Sequence, residues 1–136
     1  MLNLEPLAAL AANEMAGHDS RGANDAENII TKSLAVLAEQ GLYAFGLFLA
    51  TRKREQDKAP AQRVDAEARK LLQTAGLATP DQARAPDMPS YYRSLTASQP
   101  GESASEALRR ILLSKQLLET TLTYGRYAAK ALKNDG

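Results

Sequence analysis

The chain contains no cysteine and no tryptophan, and His18 is its only histidine. Without cysteine the protein has no disulfides, thiolate metal ligands or cysteine nucleophile, and this composition suits a reducing compartment. We therefore expect a cytoplasmic protein. His18 stands beside Asp19 as a candidate general base, but no further member of a catalytic triad is recognisable. A surface histidine is the favoured interpretation, and an enzyme that uses His18 is the least favoured function.

Several other signatures of chemistry are missing. The sequence has no zinc-protease, EF-hand, dinucleotide-binding or P-loop motif. Carboxylate pairs such as Asp65 and Glu67 are two residues apart, so on a helix they point to different faces. No apolar run approaches the ~18 residues of a membrane span, and the segment 1–16 lacks the basic start of a secretory signal. These absences predict a non-enzymatic protein without metal, cofactor or membrane contact.

The net charge of +1 hides an uneven distribution. Residues 1–31 contain one arginine and five acids, whereas residues 32–136 contain sixteen bases and eleven acids. The chain therefore lacks the globally basic surface of a typical nucleic-acid binder. Any contact with nucleic acid must use local basic patches.

The secondary-structure signals are almost entirely helical, because alanine and leucine dominate and alternating β-type runs are absent. They predict an all-α protein, a compact single-domain bundle of about five to six helices with a long C-terminal helix. The expected single domain, 1–136, divides into an acidic N-terminal helix and loop (1–23), core helices (24–76), a proline-containing connector with short helices (77–102) and the long terminal helix (103–134).

Local signals predict where helices begin and end. Asn24 and Glu27 predict a capping box at the start of the second helix, and Gly41 predicts its end. The apolar run after Gly41 passes into a charged run, which predicts one helix from Leu42 to about Lys58. Pro60 then predicts the start of the fourth helix.

The last helix is predicted to start at a capping box formed by Ser103 and Glu106 and to run to about Lys133. Alternating steps of four and three residues give an apolar seam interrupted by Lys115. The seam consists of positions 104, 108, 111, 115, 118, 122, 125, 129 and 132. About 30 residues form a rod of roughly 45 Å, which is longer than a compact domain requires. Part of this helix is therefore expected to serve a partner.

Two basic clusters are the candidate binding residues. The first follows the apolar part of the third predicted helix and consists of Arg52, Lys53, Arg54 and Lys58. The second lies along the last helix and consists of Arg109, Arg110, Lys115, Arg126, Lys130 and Lys133. Solvated helix faces and favourable charges at helix C-termini explain such residues, and so does contact with a nucleic-acid backbone. The sequence leaves both explanations open.

Tyrosines accompany two arginines in the same regions. Tyr91 and Tyr92 precede Arg93, while Tyr124 and Tyr127 flank Arg126. Such groups stack on nucleotide bases in some RNA-binding proteins. Tyrosines at the rim of a half-buried helix seam are the favoured alternative.

Three segments resemble the small-subunit family of type III-B (Cmr-type) CRISPR effector complexes. They are Leu34–Leu42 (LAVLAEQGL) with the apolar helix that follows, residues 91–96 (YYRSLT), and residues 124–132 (YGRYAAKAL). The family tends to have a polar-Gly-Leu break before an apolar helix and a long last helix with a basic-aromatic-alanine ending. The resemblance spans about residues 28–134. Gly125 departs from it, because relatives often carry a larger residue there.

This resemblance implies a non-catalytic subunit of an antiviral RNA-guided complex. Such subunits stack head to tail beside the subunits that bind the guide RNA, and they line the groove where guide and target RNA pair. The implied partners are other CRISPR subunits, further copies of the chain, and guide and target RNA. The implied RNA-binding residues are Arg52, Lys53, Arg54, Lys58, Arg109, Arg110, Arg126, Lys130 and Lys133.

A second function stays open on the sequence. A helical protein–protein adaptor without nucleic-acid contact would use an exposed apolar strip of the last helix to bind a partner helix. Its basic residues would be dispersed over the folded surface.

Overall fold

A computed structural model describes residues 3–135, the last of these by its backbone only. Within this range the chain forms seven helices and no strand. They are α1 (Glu5–Ala16), α2 (Ala23–Gln40), α3 (Leu42–Ala50), α4 (Glu55–Thr74), α5 (Pro80–Ala83), α6 (Met88–Thr96) and α7 (Ala104–Asp135). The predicted all-α bundle with a long C-terminal helix is confirmed.

Four helices form the main bundle, and α3 and α6 contribute side chains to the same core. α7 packs against α1 and α2, and α4 packs against the same two helices from the other side. α4 and α7 therefore occupy opposite corners of a square, while α3 and α6 pack against each other outside it. The largest fully buried side chains are Met15, Ile29, Ile30, Leu37, Phe45, Val64, Leu72, Tyr91, Tyr92, Leu95, Leu118 and Leu122.

The third predicted helix, Leu42 to about Lys58, is wrong as a single element. α3 ends at Ala50 and α4 begins at Glu55, so Pro60 lies inside α4 and not at its start. The charged run after Ala50 therefore contains the end of one helix and the beginning of the next. Acids in the first turn of α4 suit the positive end of its macrodipole.

Side chains that follow α3 stabilise this break. Thr51 Oγ1 donates to the carbonyl oxygen of Leu47 at 2.8 Å, and Arg52 Nε donates to that of Phe48 at 2.8 Å. The last carbonyls of a helix have no partner within the helix, so these bonds satisfy groups that would otherwise need water. Arg52 is thus a helix-capping residue.

The predicted capping box at Asn24 is also wrong. α2 begins at Ala23 with Gly22 as its N-cap, and no side chain bonds to the cap position. Glu27 does not reach back to the helix start, because its carboxylate accepts a 2.8 Å hydrogen bond from Lys133 Nζ of α7. A contact between residues so far apart in the sequence overrides the local signal.

The predicted end of α2 at Gly41 and the predicted capping box of Ser103 and Glu106 are confirmed, and α5 begins with a further capping box. Gly41 has φ 94°, a left-handed conformation that glycine accepts, and it ends α2. Thr79 and Gln82 form a reciprocal capping box at α5. Ser103 and Glu106 do the same at α7, with bonds of 3.0 and 3.1 Å.

The predicted apolar seam of α7 is confirmed only in its second half. Leu118, Leu122, Gly125 and Ala129 are buried, whereas Leu108 is 58% exposed. In the first half the buried positions are Ala107 and Ser114, each one residue before a seam position and therefore about 100° away around the helix. The seam read from the sequence is thus displaced from the buried face there.

A buried polar cluster joins α6 to α4. Tyr92 Oη donates to Asp65 Oδ1 at 2.9 Å, and Arg69 Nε contacts both carboxylate oxygens of Asp65 at 3.1 Å. Arg69 also donates to the carbonyl oxygen of Ala85 at 2.6 Å and lies over the Tyr91 ring at 4.5 Å. This cluster holds the connector against the bundle.

Candidate interaction surface on the last helix

Helix α7 exposes one edge whose two ends differ in chemistry. Leu108 and Leu112 lie near its N-terminal end, and Arg126 and Lys130 lie near its C-terminal end. Eighteen residues separate Leu108 from Arg126 and Leu112 from Lys130, which corresponds to about five helical turns. Each leucine therefore points in the same direction as its basic counterpart, about 27 Å further along the axis. We call this strip the α7 edge.

The apolar end consists of Leu108, Leu112 and Leu113, which we call the leucine ridge. These side chains are 58%, 55% and 43% exposed. Leu113 lines a groove together with Leu4, which immediately precedes α1, so the first turns of α7 extend past the start of α1. Neighbouring exposed leucines on one helix are typical of a protein-contact surface.

The basic end is partly neutralised by one carboxylate from α2. Glu27 lies 2.8 Å from Lys133 Nζ and 4.0 Å from Lys130 Nζ. Arg126 lies on the same edge, and its Nε atom is buried with no hydrogen-bond partner in the described part of the chain. One carboxylate among three bases leaves this end of α7 positive.

The first predicted basic cluster is engaged mainly in local contacts. The guanidinium of Arg52 lies 3.8 Å from the centre of the Phe48 ring. Arg54 and Lys58 each approach an acid in the first turn of α4, at 3.6 and 2.8 Å respectively, and Lys53 is exposed. The pair of Lys58 is exposed and contributes little to stability, whereas the acid that Arg54 approaches is buried. Both bases are themselves exposed to solvent.

Arg109 and Arg110 differ sharply although they are adjacent. Arg109 is exposed. Arg110 is 13% exposed, and its Nε lies 2.8 Å from a carboxylate oxygen of Glu102. Its terminal nitrogens donate to the carbonyl oxygens of Leu95 at 2.6 Å and Ala97 at 2.8 Å. Arg110 therefore fastens the loop before α7, and this network would have to break before Arg110 bound a phosphate.

The first basic cluster and the basic end of the α7 edge lie at one end of the bundle but at different corners. Glu27 near the start of α2 pairs with Lys133 near the end of α7. Gly17, which follows α1, lies beside Arg63 in the first half of α4. The end of α7 and the start of α4 therefore share one end of the bundle, on its two diagonal corners.

The tyrosines fall into two groups. Tyr91 and Tyr92 are 0% exposed, so neither ring is available to stack on a base in this structure. Tyr124 is half-buried. Tyr127 is 62% exposed and lies 6.0 Å from Lys130 Nζ, so it is the tyrosine of the α7 edge that solvent reaches.

His18 lies on the surface, with its side chain 76% exposed and Nε2 3.1 Å from Glu14. No group of three or more acids or histidines between residues 3 and 135 is placed to hold a metal ion. In the same range, every helix is too short or too polar to cross a bilayer.

A polar stripe beside Arg126 was not predicted from the sequence. Asn24, Asn28 and Thr31 follow each other at i, i+4 and i+7 on α2, and with Arg126 they line one pocket. The helical spacing was the available signal. Its meaning depends on the neighbouring helix, which the sequence does not identify.

Comparison with protein-family models, curated proteins and solved structures finds no match to this chain. The structure therefore defines its class by architecture alone, as a small all-α bundle with an amphipathic edge on its last helix.

Proposed function

We propose that this protein is a non-catalytic structural subunit of a type III CRISPR RNA-guided effector complex, where it contacts guide and target RNA through backbone phosphates. The observation that carries the proposal is the α7 edge, which combines the leucine ridge with a basic end on one side of one helix. Such an edge suits a subunit that touches protein and RNA at once. The family resemblance of residues 34–42, 91–96 and 124–132 supplies the biological setting.

The RNA contact is assigned to the basic end of the α7 edge. Arg126, Lys130 and Lys133 recur at i, i+4 and i+7, so they share one face and follow a line parallel to the helix axis. Bases in a line bind a sugar–phosphate backbone without regard to sequence. The exposed ring of Tyr127 adds an aromatic surface beside them.

The protein contact is assigned to a second copy of the chain, bound head to tail. A groove between α1 and α4 is mainly apolar and carries a formal charge of −1 from two acids and one base. It is lined by Leu7, Leu10, Ala11, Glu14, Glu67, Lys70, Leu71 and Thr74. The leucine ridge carries the exposed base Arg109 between its leucines, so it complements this groove in both polarity and charge. A ridge that binds a different surface of the next copy gives a chain of subunits.

Charge reversal tests the RNA contact. In Arg126→Glu/Lys130→Glu we expect at least a tenfold loss of affinity for a single-stranded RNA at low salt. The slope of log K against log salt should become less steep by about 1.4, since each lost phosphate contact contributes about 0.7. The control is Lys32→Glu/Arg93→Glu, two exposed bases outside the α7 edge. Equal RNA binding by both double variants would remove this surface from the proposal.

Purification from the native host tests the setting. The tagged protein should bring with it short RNAs that carry CRISPR repeat sequence at one end, and these are identified by sequencing. Recovery of the tagged protein without such RNAs would contradict membership of the complex.

A helical adaptor without RNA contact is the second candidate. It is favoured by the internal contacts of predicted RNA-binding residues: Lys133 pairs with Glu27, and Arg110 is almost fully engaged within the chain. An adaptor predicts no gel shift with RNA at low salt, together with loss of partner binding in Leu108→Ser/Leu112→Ser. Retained RNA binding in that variant would favour the first candidate.

A further inference from the structure

We propose that the pocket between α2 and α7 binds a phosphate group. Its walls are Asn24, Glu27, Asn28 and Thr31 of α2 and Arg126 of α7, and its volume is about 240 Å³. Since one water in the liquid occupies about 30 Å³, the pocket has room for a phosphate and part of an attached sugar. This site extends the proposed function. It depends on that function only where RNA is named as the molecule that supplies the phosphate.

The first argument is the state of Arg126. Its Nε atom is buried and has no hydrogen-bond partner among residues 3–135. A buried charged donor without a partner is unfavourable, and an oxyanion is the partner that a guanidinium binds best, through two parallel N–H groups. Arg126 lines the pocket with a donor that no described residue uses, and its guanidinium must turn toward the pocket for that donor to reach an anion.

The second argument is the polar stripe on α2. Asn24, Asn28 and Thr31 line the pocket opposite Arg126, and their amide and hydroxyl groups are donors for the remaining phosphate oxygens. Asn24 belongs to the first turn of α2, where free backbone N–H groups and the positive end of the macrodipole also favour an anion.

The third argument is charge. Glu27 is the one acid on the wall, and its carboxylate is already held by Lys133 at 2.8 Å and Lys130 at 4.0 Å. Three bases against one acid give this corner a formal charge of +2. The surroundings thus stabilise an anion although a carboxylate lines the pocket.

Two sources of phosphate share this chemistry, an RNA phosphodiester and a free nucleotide. The test titrates the full chain with inorganic phosphate, with AMP and with a short oligouridylate, and follows backbone amide signals by NMR. We expect all three ligands to shift the signals of Asn24, Asn28, Thr31 and Arg126. In Arg126→Gln the affinity for each ligand should fall tenfold or more.

Controls separate a lost site from a lost fold. Thr31→Val keeps the side-chain shape and removes the hydroxyl donor, and Asn28→Leu replaces an amide donor with an apolar group. Both should weaken phosphate binding by about three- to tenfold while circular dichroism stays unchanged. Arg93→Gln, the same substitution at an exposed position outside α2 and α7, should leave the affinity for inorganic phosphate unchanged.

The outcomes distinguish the pocket from the proposed function. Phosphate and AMP binding that depends on Arg126, without RNA binding, would support the pocket and overturn the RNA contact. RNA binding that is unaffected by Arg126→Gln, with no signal shifts from phosphate, would overturn the pocket and leave the RNA contact standing. If none of the three ligands binds the protein, both the phosphate pocket and the RNA contact are overturned.

Discussion

Gly46 of α3 lies directly against the ring of Tyr92 of α6. A Cβ atom added at Gly46 would stand 2.6 Å from Tyr92 Cδ2 and 3.0 Å from its Cβ. Phe45 also meets Tyr92, edge to face, with ring centres 5.2 Å apart. The absence of a side chain at Gly46 is therefore what allows α6 to pack on α3.

The variant Gly46→Ala should destabilise the protein by about 1–3 kcal/mol, because the added methyl overpacks the contact with Tyr92. The matched control is Gly125→Ala, where a new Cβ would lie 3.4 Å from Ile30 Cδ1, an ordinary contact. Both glycines are helical, so alanine gains about 1 kcal/mol of helix propensity at either site. Urea unfolding measures the difference, and equal stability of the two variants would contradict the close packing.

Local signals predicted the all-α class and several helix ends, because caps and apolar periodicity act within one or two turns. Gly41 and the box of Ser103 with Glu106 are examples. The same signals merged α3 with the start of α4. These local signals carry no information about contacts between distant segments of the chain. The close packing of Gly46 against Tyr92 explains why this position has no side chain. The hydrogen bond between Lys133 and Glu27 explains why Glu27 does not cap α2.

The hydroxyls of Tyr91 and Tyr92 should differ in their contribution to stability. Tyr92→Phe removes the 2.9 Å bond to the buried carboxylate of Asp65 and should cost about 2 kcal/mol. Tyr91→Phe removes a buried hydroxyl that has no partner in the described part of the chain, so its effect should be neutral or slightly stabilising. Denaturant unfolding of the two variants measures this, and a larger loss in Tyr91→Phe would contradict the assigned network.

Alkaline pH should destabilise the protein through the same tyrosines. Burial raises the pKa of both Tyr91 and Tyr92, and the Asp65 carboxylate raises that of Tyr92 further. In the unfolded chain tyrosine titrates near pH 10. The folded state therefore keeps protons that the unfolded state releases, and stability that is full below about pH 10 is lost as the pH rises above it.

The expected slope is about 1.4 kcal/mol per pH unit for each tyrosine that stays protonated. In Tyr91→Phe and in Tyr92→Phe this slope should each time be smaller by about 1.4 kcal/mol per pH unit. Unfolding midpoints measured from pH 8 to 11 provide the test, and an unchanged slope in both variants would contradict the burial of these hydroxyls.

Two adjacent arginines give a prediction about the loop before α7. Arg110→Gln removes the contacts with Glu102, Leu95 and Ala97 and should lower the Tm by about 5 °C or more. Arg109→Gln changes an exposed side chain and should leave the Tm within about 1 °C. Calorimetry measures both, and equal Tm values would show that the Arg110 network contributes little.

The candidate site was only partly predictable, again because contacts between distant segments decide the role of each residue. The bases of the α7 edge were identified by residue type. The excess length of the helix predicted a partner contact on α7, but not which leucines form it. The partners of these residues come from α2, as Glu27 and the stripe from Asn24 to Thr31 show. Arg52 and Arg110 bear the same charge as Arg126, yet one caps a helix and the other holds a loop. Residue type alone does not separate these roles.

The head-to-tail contact predicts that two defective variants will complement each other. Leu108→Ser/Leu112→Ser removes the ridge and keeps the groove, whereas Leu10→Asp removes the groove and keeps the ridge. All three leucines are at least 55% exposed, so both variants should fold with near-normal stability. Neither should self-associate in sedimentation at concentrations where the native chain does.

An equimolar mixture of the two variants should form a 1:1 heterodimer, because one ridge and one groove remain intact and can meet once. The dimer cannot grow, since its outer surfaces are the two defective ones. A symmetric contact of ridge with ridge predicts the opposite, because Leu10→Asp alone would still form homodimers. Self-association that survives in Leu10→Asp, or a mixture that stays monomeric while the native chain associates, would therefore exclude the groove between α1 and α4 as the receptor for the ridge.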